Sequence, residues 1–208
     1  MQDRDVASAH PYGEAVRGPL NLDDVESLYA TARTPEQHRE AAGQLAAWAE
    51  EVRPSDEEVS AATLLVSAGE QLSSSGDLQG AVDMFRRAVA AEGQAPPDVR
   101  CYLHQGLLGA GDFAGARRVA DELRRAAPTD GDVYLFIGEN YELVDDLHEA
   151  HRWMTMGLLR FVSDVEQGDD LAAGDAALLV RARYRIRRSL ELPTDDYDAL
   201  AESALRGD

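Results

Sequence analysis

The sequence predicts an all-α protein assembled from repeated pairs of antiparallel helices, with a further helix covering its C-terminal end. Two observations predict this fold class. Alanine and leucine supply most of the apolar side chains, whereas aromatic residues make up only 6% of the chain, and this composition favours helices over strands. In addition, one pattern of apolar and small residues recurs every 34–35 residues, a period that is typical of helical repeat arrays.

The chain is strongly acidic. It has 208 residues, enough for one compact domain or a short repeat array, and a formal net charge of −19. A field of this sign repels phosphate backbones, so we expect no nucleic-acid partner and favour a basic peptide or a basic protein face. All 20 basic residues are arginine, which together with the Ala/Gly/Asp bias indicates a GC-rich bacterial genome. The absence of lysine excludes a Schiff-base lysine and a phosphate-loop lysine.

Cysteine usage and hydropathy indicate a cytoplasmic protein. Cys101 is the single cysteine, which excludes an internal disulfide and a cysteine metal cluster. No stretch approaches the roughly 18 apolar residues that a membrane span needs, so we expect no membrane contact. Residues 1–20 have no apolar core of the signal-peptide type and are predicted to form a loose polar arm.

The same order of apolar and small residues occurs three times between residues 62 and 164. In each repeat a first group shares one helical face, a turn follows, and a second group shares another face. The first groups are Leu65, Ala68, Gly69 and Leu72; Leu103 and Leu107; and Tyr134, Ile137, Gly138 and Tyr141. The second groups are Ala81, Phe85 and Ala88; Ala116, Ala120 and Leu123; and Ala150 and Met154. Each repeat is therefore predicted to be two antiparallel helices.

Residues between and within the predicted helices support this interpretation. Gly76 and Gly111 suit a left-handed turn position, and the following Asp77 and Asp112 can cap the next helix. The closest helix crossings are predicted at Gly69 with Ala81 and at Gly138 with Ala150, with Phe85 beside the first of them.

This pattern resembles the tetratricopeptide repeat, in which a large residue, Leu-Gly, Tyr, Ala, Phe, Ala and a late Pro follow one another over 34 residues. The resemblance covers residues 62–164 directly. The second repeat departs from it, because His104 stands where a small residue is usual and Arg100 where a large apolar one is usual. The resemblance implies an α–α superhelix whose first helices line a concave groove for extended peptides.

A further, degenerate repeat is predicted at residues 21–55, upstream of the three repeats, which occupy residues 56–164. In it Thr34-Pro35-Glu36-Gln37 has the pattern of a capping box with proline at the first helical position. Ser55-Asp56-Glu57-Glu58 is predicted to open the next helix.

A capping helix is predicted at residues 168–192, followed by a short helix and tail at residues 193–208. Its apolar face is expected to cover the open end of the array. That face consists of Leu179, Ala182, Ile186 and Leu190. Residues 182–193 and the acidic stretch 195–198 are also similar to the C-terminal ends of bacterial repeat proteins classed with SEC-C metal-binding proteins. The Cys-rich zinc signature of that class is absent, so this resemblance implies no zinc.

The tetratricopeptide resemblance also implies which side chains face the groove. The corresponding positions are Thr63, Val66, Glu70, Ser73, Asp98, Cys101, Gln105, Leu108, Asp132, Leu135, Glu139 and Glu142. The candidate ligand-binding residues among them are Val66, Glu70, Cys101, Gln105, Leu108, Leu135, Glu139 and Glu142. The family's carboxylate-clamp members need Lys, Arg and Asn here. This groove is acidic with apolar patches, so the expected ligand is a peptide with Arg or Lys and an aliphatic anchor. The alternative is that these acids only solvate an exposed face.

Five arginines crowd the predicted capping helix, and these are Arg181, Arg183, Arg185, Arg187 and Arg188. They are either a binding patch for a partner or nucleic acid, or they pair with the acidic body of the protein. We favour pairing, with each exposed pair contributing about 0–1 kcal/mol.

Three patterns are candidates for chemistry, and each has a simpler interpretation. His148 and His151 could share a metal on one helix face, but no third ligand is evident, so we favour two surface histidines. Cys101 and His104 could form a reactive thiolate pair, although a partly buried histidine satisfied by a neighbour is favoured. Residues 106–113 are glycine-rich, yet no Gly-Lys-Ser/Thr follows them, so a helix–helix turn is favoured over a phosphate loop.

The sequence therefore predicts a non-enzymatic protein-interaction module without catalytic residues, metal or cofactor. The alternative is a regulatory or accessory subunit that docks an enzyme complex through its repeats.

Overall fold

The computed structural model describes residues 18–166 and 170–206, with side chains described for residues 18–162 and 172–203. These ranges contain ten α-helices and no strand, which confirms the all-α class. The helices are α1 (Leu22–Thr31), α2 (Pro35–Glu50), α3 (Ala61–Ser75), α4 (Leu78–Ala90), α5 (Val99–Gly109), α6 (Phe113–Ala126), α7 (Gly131–Leu143), α8 (Leu147–Glu166), α9 (Asp170–Ser189) and α10 (Asp196–Arg206).

None of the helices within the described ranges combines the length and the apolarity that a membrane crossing requires.

The odd-numbered helices form one continuous layer. α1 packs on α3, α3 on α5, α5 on α7, and α7 on α9. α2, α4 and α8 each pack against the odd-numbered helices before and after them. α7 and α9 run in the same direction. The N–H of Gly131, at the start of α7, donates to Asp175 near the start of α9 (3.1 Å), and Glu142, at the end of α7, pairs with Arg185 in the C-terminal part of α9. The array therefore presents one face made of odd-numbered helices.

Glycine and aspartate set the turns between α3 and α4 and between α5 and α6. Gly76 has φ 86° and Gly111 has φ 80°, the left-handed region that favours glycine. Asp77 accepts a hydrogen bond from the Gly80 N–H (2.9 Å), and Asp112 accepts one from the Gly115 N–H (2.8 Å). These predicted turn and cap roles are confirmed.

α2 begins as its sequence predicts. The Thr34 side chain accepts from the N–H of Gln37, the Gln37 side chain accepts from the N–H of Thr34, and Pro35 takes the first helical position. The capping box at the start of the degenerate repeat's second helix is thereby confirmed.

α3 begins later than the sequence predicts. Residues 55–59 form turns, and the first helical residue is Ala61, capped by Ser60, whose hydroxyl accepts from the Thr63 N–H (3.1 Å). The prediction that Ser55 to Glu58 opens the helix is wrong because the Asp56 carboxylate caps other groups. It accepts from the N–H of Leu20 (2.8 Å) and of Arg53 (2.9 Å).

The hydrogen bond from the Leu20 N–H to Asp56 bears on the prediction that residues 1–20 form a loose arm. Residues 1–17 lie outside the described part of the chain. Leu20 is buried in the core beside α2 and α3, so the arm as predicted is too long at its C-terminal end.

The core of the first repeat centres on Phe85, which is 1% exposed. A Cβ added to Gly69 of α3 would overlap one edge of the Phe85 ring, and a Cβ added to Gly106 of α5 would lie 2.6 Å from the other edge. Ala81, at the predicted crossing, is fully buried. Glycine on both sides therefore lets α3 and α5 approach the same ring.

α9 corresponds to the helix predicted at residues 168–192, and its apolar face packs on α7 and α8. Leu179 and Ile186 are 1% and 0% exposed and belong to the same core cluster as Tyr134 and Leu158. This burial is the apolar contact that a terminal helix must supply.

Candidate functional site

Three separate side-chain contacts lie along the odd-numbered helices, one between α1 and α3, one between α5 and α7, and one between α7 and α9. We call the surface that carries them the odd-helix face. It consists of Tyr29, Glu70, Tyr102, Gln105, Phe136, Glu139 and Glu142, all exposed or half-buried. Gln105 lies 35 residues after Glu70 and 34 before Glu139, which are the repeat spacings.

The α1 end of the odd-helix face is a tyrosine–carboxylate pair. The Tyr29 hydroxyl donates to Oε2 of Glu70 at 2.5 Å. Burial raises the pKa of Glu70, and the hydrogen bond from Tyr29 opposes this rise. Burial, and then the Glu70 charge, raise the pKa of Tyr29. Glu70 is therefore partly desolvated and held in place by α1. Burial, and then the charge of Glu70, also raise the pKa of the Tyr102 hydroxyl.

The middle of the face carries an aromatic pair. The rings of Tyr102 and Phe136 lie 5.1 Å apart and meet edge to face at 64°. Phe85 lies beneath, with its ring 6.4 Å from that of Tyr102. The Tyr102 hydroxyl donates to the carbonyl of Pro96 (2.6 Å). These contacts fix two half-buried rings between α5 and α7.

The α9 end of the face holds an arginine on a carboxylate. Nε and Nη2 of Arg185 donate to the two oxygens of Glu142 at 3.0 and 2.6 Å, the two-pronged geometry that arginine favours. The hydrogen bond with Glu142 raises the pKa of Arg185, and the charge of Glu139 adds to this. Both partners are accessible to solvent, with 53% of the Arg185 side chain exposed.

The structure separates the candidate groove residues into two sets. The accessible ones are Glu70, Gln105, Leu135, Glu139 and Glu142. Val66, Cys101 and Leu108 lie in the core, at 4%, 0% and 5% exposure, rather than on the groove surface. The reason is that neighbouring odd-numbered helices pack directly on one another. Cys101, for example, offers its carbonyl to Asn140 of the next odd-numbered helix (3.4 Å).

Sequence reasoning missed the aromatic side chains of the face. Tyr102 and Phe136 follow Ser67 at the repeat spacing, one residue after the predicted positions Val66, Cys101 and Leu135. This small shift in register was the available signal. Tyr29 comes from α1, and the repeat pattern carries no signal for it.

Most of the arginine cluster is used internally. Arg183 is 5% exposed and donates to Asp195 (2.5 and 3.2 Å) and to Thr155 (3.0 Å). Arg187, at 9% exposure, donates to both oxygens of Asp198 (3.1 and 2.9 Å) and to the carbonyl of Pro193. The favoured pairing is confirmed, but the partners lie chiefly in the C-terminal segment and the pairs are buried.

The two aspartates of this network also begin α10. Asp195 accepts from the N–H of Asp198 (3.1 Å), and Asp198 accepts from the N–H of Asp195 (3.0 Å). The hydrogen bond from Arg183 lowers the pKa of Asp195 to about 2. The value of about 0–1 kcal/mol, expected for exposed pairs, does not apply to Arg183 and Arg187, because their side chains are only 6% and 11% exposed and water screens them little.

The Cys101–His104 pair is enclosed in the core. His104 is 0% exposed, its ring lies 4.8 Å from that of Tyr141, and Asn140 Nδ2 lies 3.2 Å from its Nδ1. Since an amide N–H can only donate, the ring proton belongs on Nε2, which has no partner among the described residues. Burial lowers the pKa of His104 to about 4 and raises that of the Cys101 thiol. A neutral thiol and a neutral imidazole do not make a reactive thiolate.

The remaining candidates are the histidine pair of α8 and the glycine-rich segment at residues 106–113. His148 is exposed, whereas His151 is half-buried with Nε2 3.3 Å from the Thr155 hydroxyl. Burial, followed by the charges of Arg183 and Arg187, lowers the pKa of His151. Within the described ranges, no group of three or more His, Cys, Asp or Glu side chains is arranged to hold a metal ion. Residues 106–113 form the end of α5, a turn and the start of α6, as the helix–helix interpretation predicts.

Comparison of the chain with protein family models, with curated proteins and with solved structures finds no match.

Proposed function

We propose that this protein is a cytoplasmic, non-enzymatic interaction module of the tetratricopeptide type, and that its odd-helix face binds an extended, basic segment of a partner protein. The layer in which α3 packs on α5, α5 on α7, and α7 on α9 supports the repeat assignment. The proposal keeps the acidic groove that the resemblance implies but replaces its buried members with Tyr29, Tyr102 and Phe136.

Charge supports a basic ligand. In the part of the chain that the structure describes, Glu70 and Glu139 form no ion pair, so two carboxylates on the odd-helix face lack a cation. The protein as a whole carries −19, which steers cationic segments toward it and repels phosphate backbones.

The aromatic pair supports an ordered contact rather than diffuse attraction alone. A guanidinium or ammonium group over a ring face gains about 0.5–2 kcal/mol, and the gain is larger where water is excluded. Tyr102 and Phe136 are half-buried and already fixed by their neighbours, so little side-chain freedom is lost on binding.

The single observation that carries the proposal is the Arg185–Glu142 contact. A guanidinium already lies on this face in a two-pronged hydrogen bond, and its side chain is half exposed. The face is thus chemically suited to arginine. Glu70 and Glu139 are two further carboxylates on it, and neither forms an ion pair among the described residues.

The proposal is tested by selecting peptides from a randomised displayed library on the purified protein. We expect enrichment of peptides that combine Arg or Lys with Leu, Ile or Val. Glu139→Arg should abolish this enrichment, because it reverses a free charge on the face. Glu40→Arg is the matched control, since Glu40 is an exposed residue of α2 and leaves the face unchanged. Selection of acidic peptides, or equal selection by the Glu139→Arg variant, would contradict the proposal.

A further inference from the structure

An apolar cleft lies at the C-terminal end of the array, and none of the seven odd-helix face residues lines it. It has a volume of about 540 Å³ and lies between α8, α9 and α10. Its apolar lining includes Leu158, Val162, Ala176, Val180, Tyr197 and Leu200. Leu200 is 61% exposed, an unusual state for a leucine beside an apolar cleft.

The shape of the cleft is fixed by the contacts that hold α10 against α9. The buried pairs of Arg183 and Arg187 with Asp195 and Asp198 hold the start of α10. The Arg183 guanidinium also lies 5.6 Å from the centre of the Tyr197 ring, which forms part of the cleft wall. Both walls of the cleft are therefore positioned before any ligand arrives.

Two charged residues of opposite sign line the cleft within the described ranges. Arg181 comes from α9 and Asp196 from the first turn of α10. Among the described residues neither forms an ion pair or hydrogen bond, with the other or with any third residue. The described lining of the cleft thus offers one exposed cation and one exposed anion, neither of them paired within the described part of the chain.

We propose that this cleft is a two-fold interface that binds a second copy of the same chain. In a two-fold contact the same patch meets itself, so the patch must be complementary to itself. The cleft meets this condition twice. Arg181 of each copy can face Asp196 of the partner subunit, and the projecting Leu200 of each copy can enter the apolar cleft of the other.

The alternatives fit this patch less well. A basic peptide would bring like charge to Arg181, and an acidic peptide is repelled by the remainder of the chain. Two copies bring together −19 and −19, but at physiological salt the screening length is about 8 Å, so local complementarity outweighs the distant repulsion. The inference does not depend on the function of the odd-helix face.

The test is sedimentation equilibrium of the full chain at physiological ionic strength over a wide concentration range. We expect reversible dimers, and we expect Arg181→Glu and Asp196→Arg each to weaken dimerisation about tenfold or more, because like charges then face each other. The double variant Arg181→Glu with Asp196→Arg should restore dimerisation. Arg118→Glu makes the same charge change at an exposed position of α6 and should leave the dimer intact.

Folding is checked by circular dichroism, since Asp196 also lies in the first turn of α10. If a charge variant fails to fold, Leu200→Asp replaces it, because this residue is mostly exposed and its replacement should yield a folded monomer. A wild-type protein that is monomeric at every concentration overturns the proposal. A dimer that withstands both Arg181→Glu and Leu200→Asp overturns it as well, since the interface then lies elsewhere.

Discussion

Phe85 is the residue on which the packing of α3, α4 and α5 depends. It lies between Gly69 and Gly106, both of which approach its ring too closely to tolerate a side chain. We expect Phe85→Ala to lower the free energy of unfolding by about 3–5 kcal/mol, because three helices cannot close the resulting cavity. Denaturant unfolding followed by circular dichroism measures this.

Phe113→Ala is the matched control for Phe85→Ala. Phe113 begins α6 and is 58% exposed, so its removal should change the free energy of unfolding by less than about 1 kcal/mol. Equal losses for the two variants would mean that the ring of Phe85 is not enclosed as described.

His104 makes the stability of the protein depend on pH. Burial lowers its pKa in the folded state from 6.5 to about 4, so the unfolded chain binds the proton more tightly. The contribution of neutral His104 to the free energy of unfolding is therefore fully present above about pH 6.5, and it is lost as the pH falls toward 4. The loss from this residue is on the order of 3 kcal/mol, since each pKa unit corresponds to about 1.4 kcal/mol.

The measurement is the free energy of unfolding at several pH values between 7 and 4. His104→Phe, which keeps an aromatic ring but cannot be protonated, should flatten this part of the profile. His148→Gln, at an exposed position, should leave the profile unchanged. If the His104→Phe profile retains the full slope, another buried group is responsible.

The joint between α9 and α10 depends on buried charge. Arg187→Gln leaves the Asp198 carboxylate, 3% exposed, without its main partner. Breaking one side of a buried pair costs about 3–5 kcal/mol. Because α10 packs mainly on α9, we expect the helix to detach locally, and hydrogen exchange should show lost amide protection in α10 while α3 to α5 keep theirs.

Arg185→Gln separates buried pairing from surface pairing. Its partner Glu142 is accessible to solvent, so the loss should be about 0–1 kcal/mol and smaller at high salt. Similar exchange patterns in the two variants would indicate that the Arg187 pair is no stronger than a surface pair.

The stability of the whole array depends on coverage of its last apolar face by α9. Ile186 is 0% exposed and joins the core cluster that also contains Tyr141 and Met154. Ile186→Asp should expose this face, since an unpaired carboxylate cannot stay in the core, and the protein should aggregate. Light scattering during concentration detects this.

Leu143→Asp is the control for this experiment, because Leu143 is 77% exposed at the end of α7. It should stay soluble with an unchanged melting temperature. A soluble, cooperatively folding Ile186→Asp variant would show that α9 is dispensable for covering the array.

Periodicity by itself predicted the paired helices between residues 62 and 164, and local capping signals predicted several of their ends. The turns at Gly76 and Gly111 and the box at Thr34–Gln37 follow from local backbone chemistry, which acts within four residues. The buried ring of Phe85 followed from repeat spacing, because residues at equal positions in a repeat meet equal surroundings.

Tertiary structure alone decided which positions of the odd-numbered helices are accessible. Val66 and Cys101 carry the same periodic signal as Glu70 and Gln105, yet contact between neighbouring odd-numbered helices buries the first two. The same holds for the arginines of α9. The excess of acids in the sequence favoured pairing of these arginines, but only the return of α10 onto α9 selects Arg183 and Arg187 for burial, because these pairs join residues that no local pattern connects.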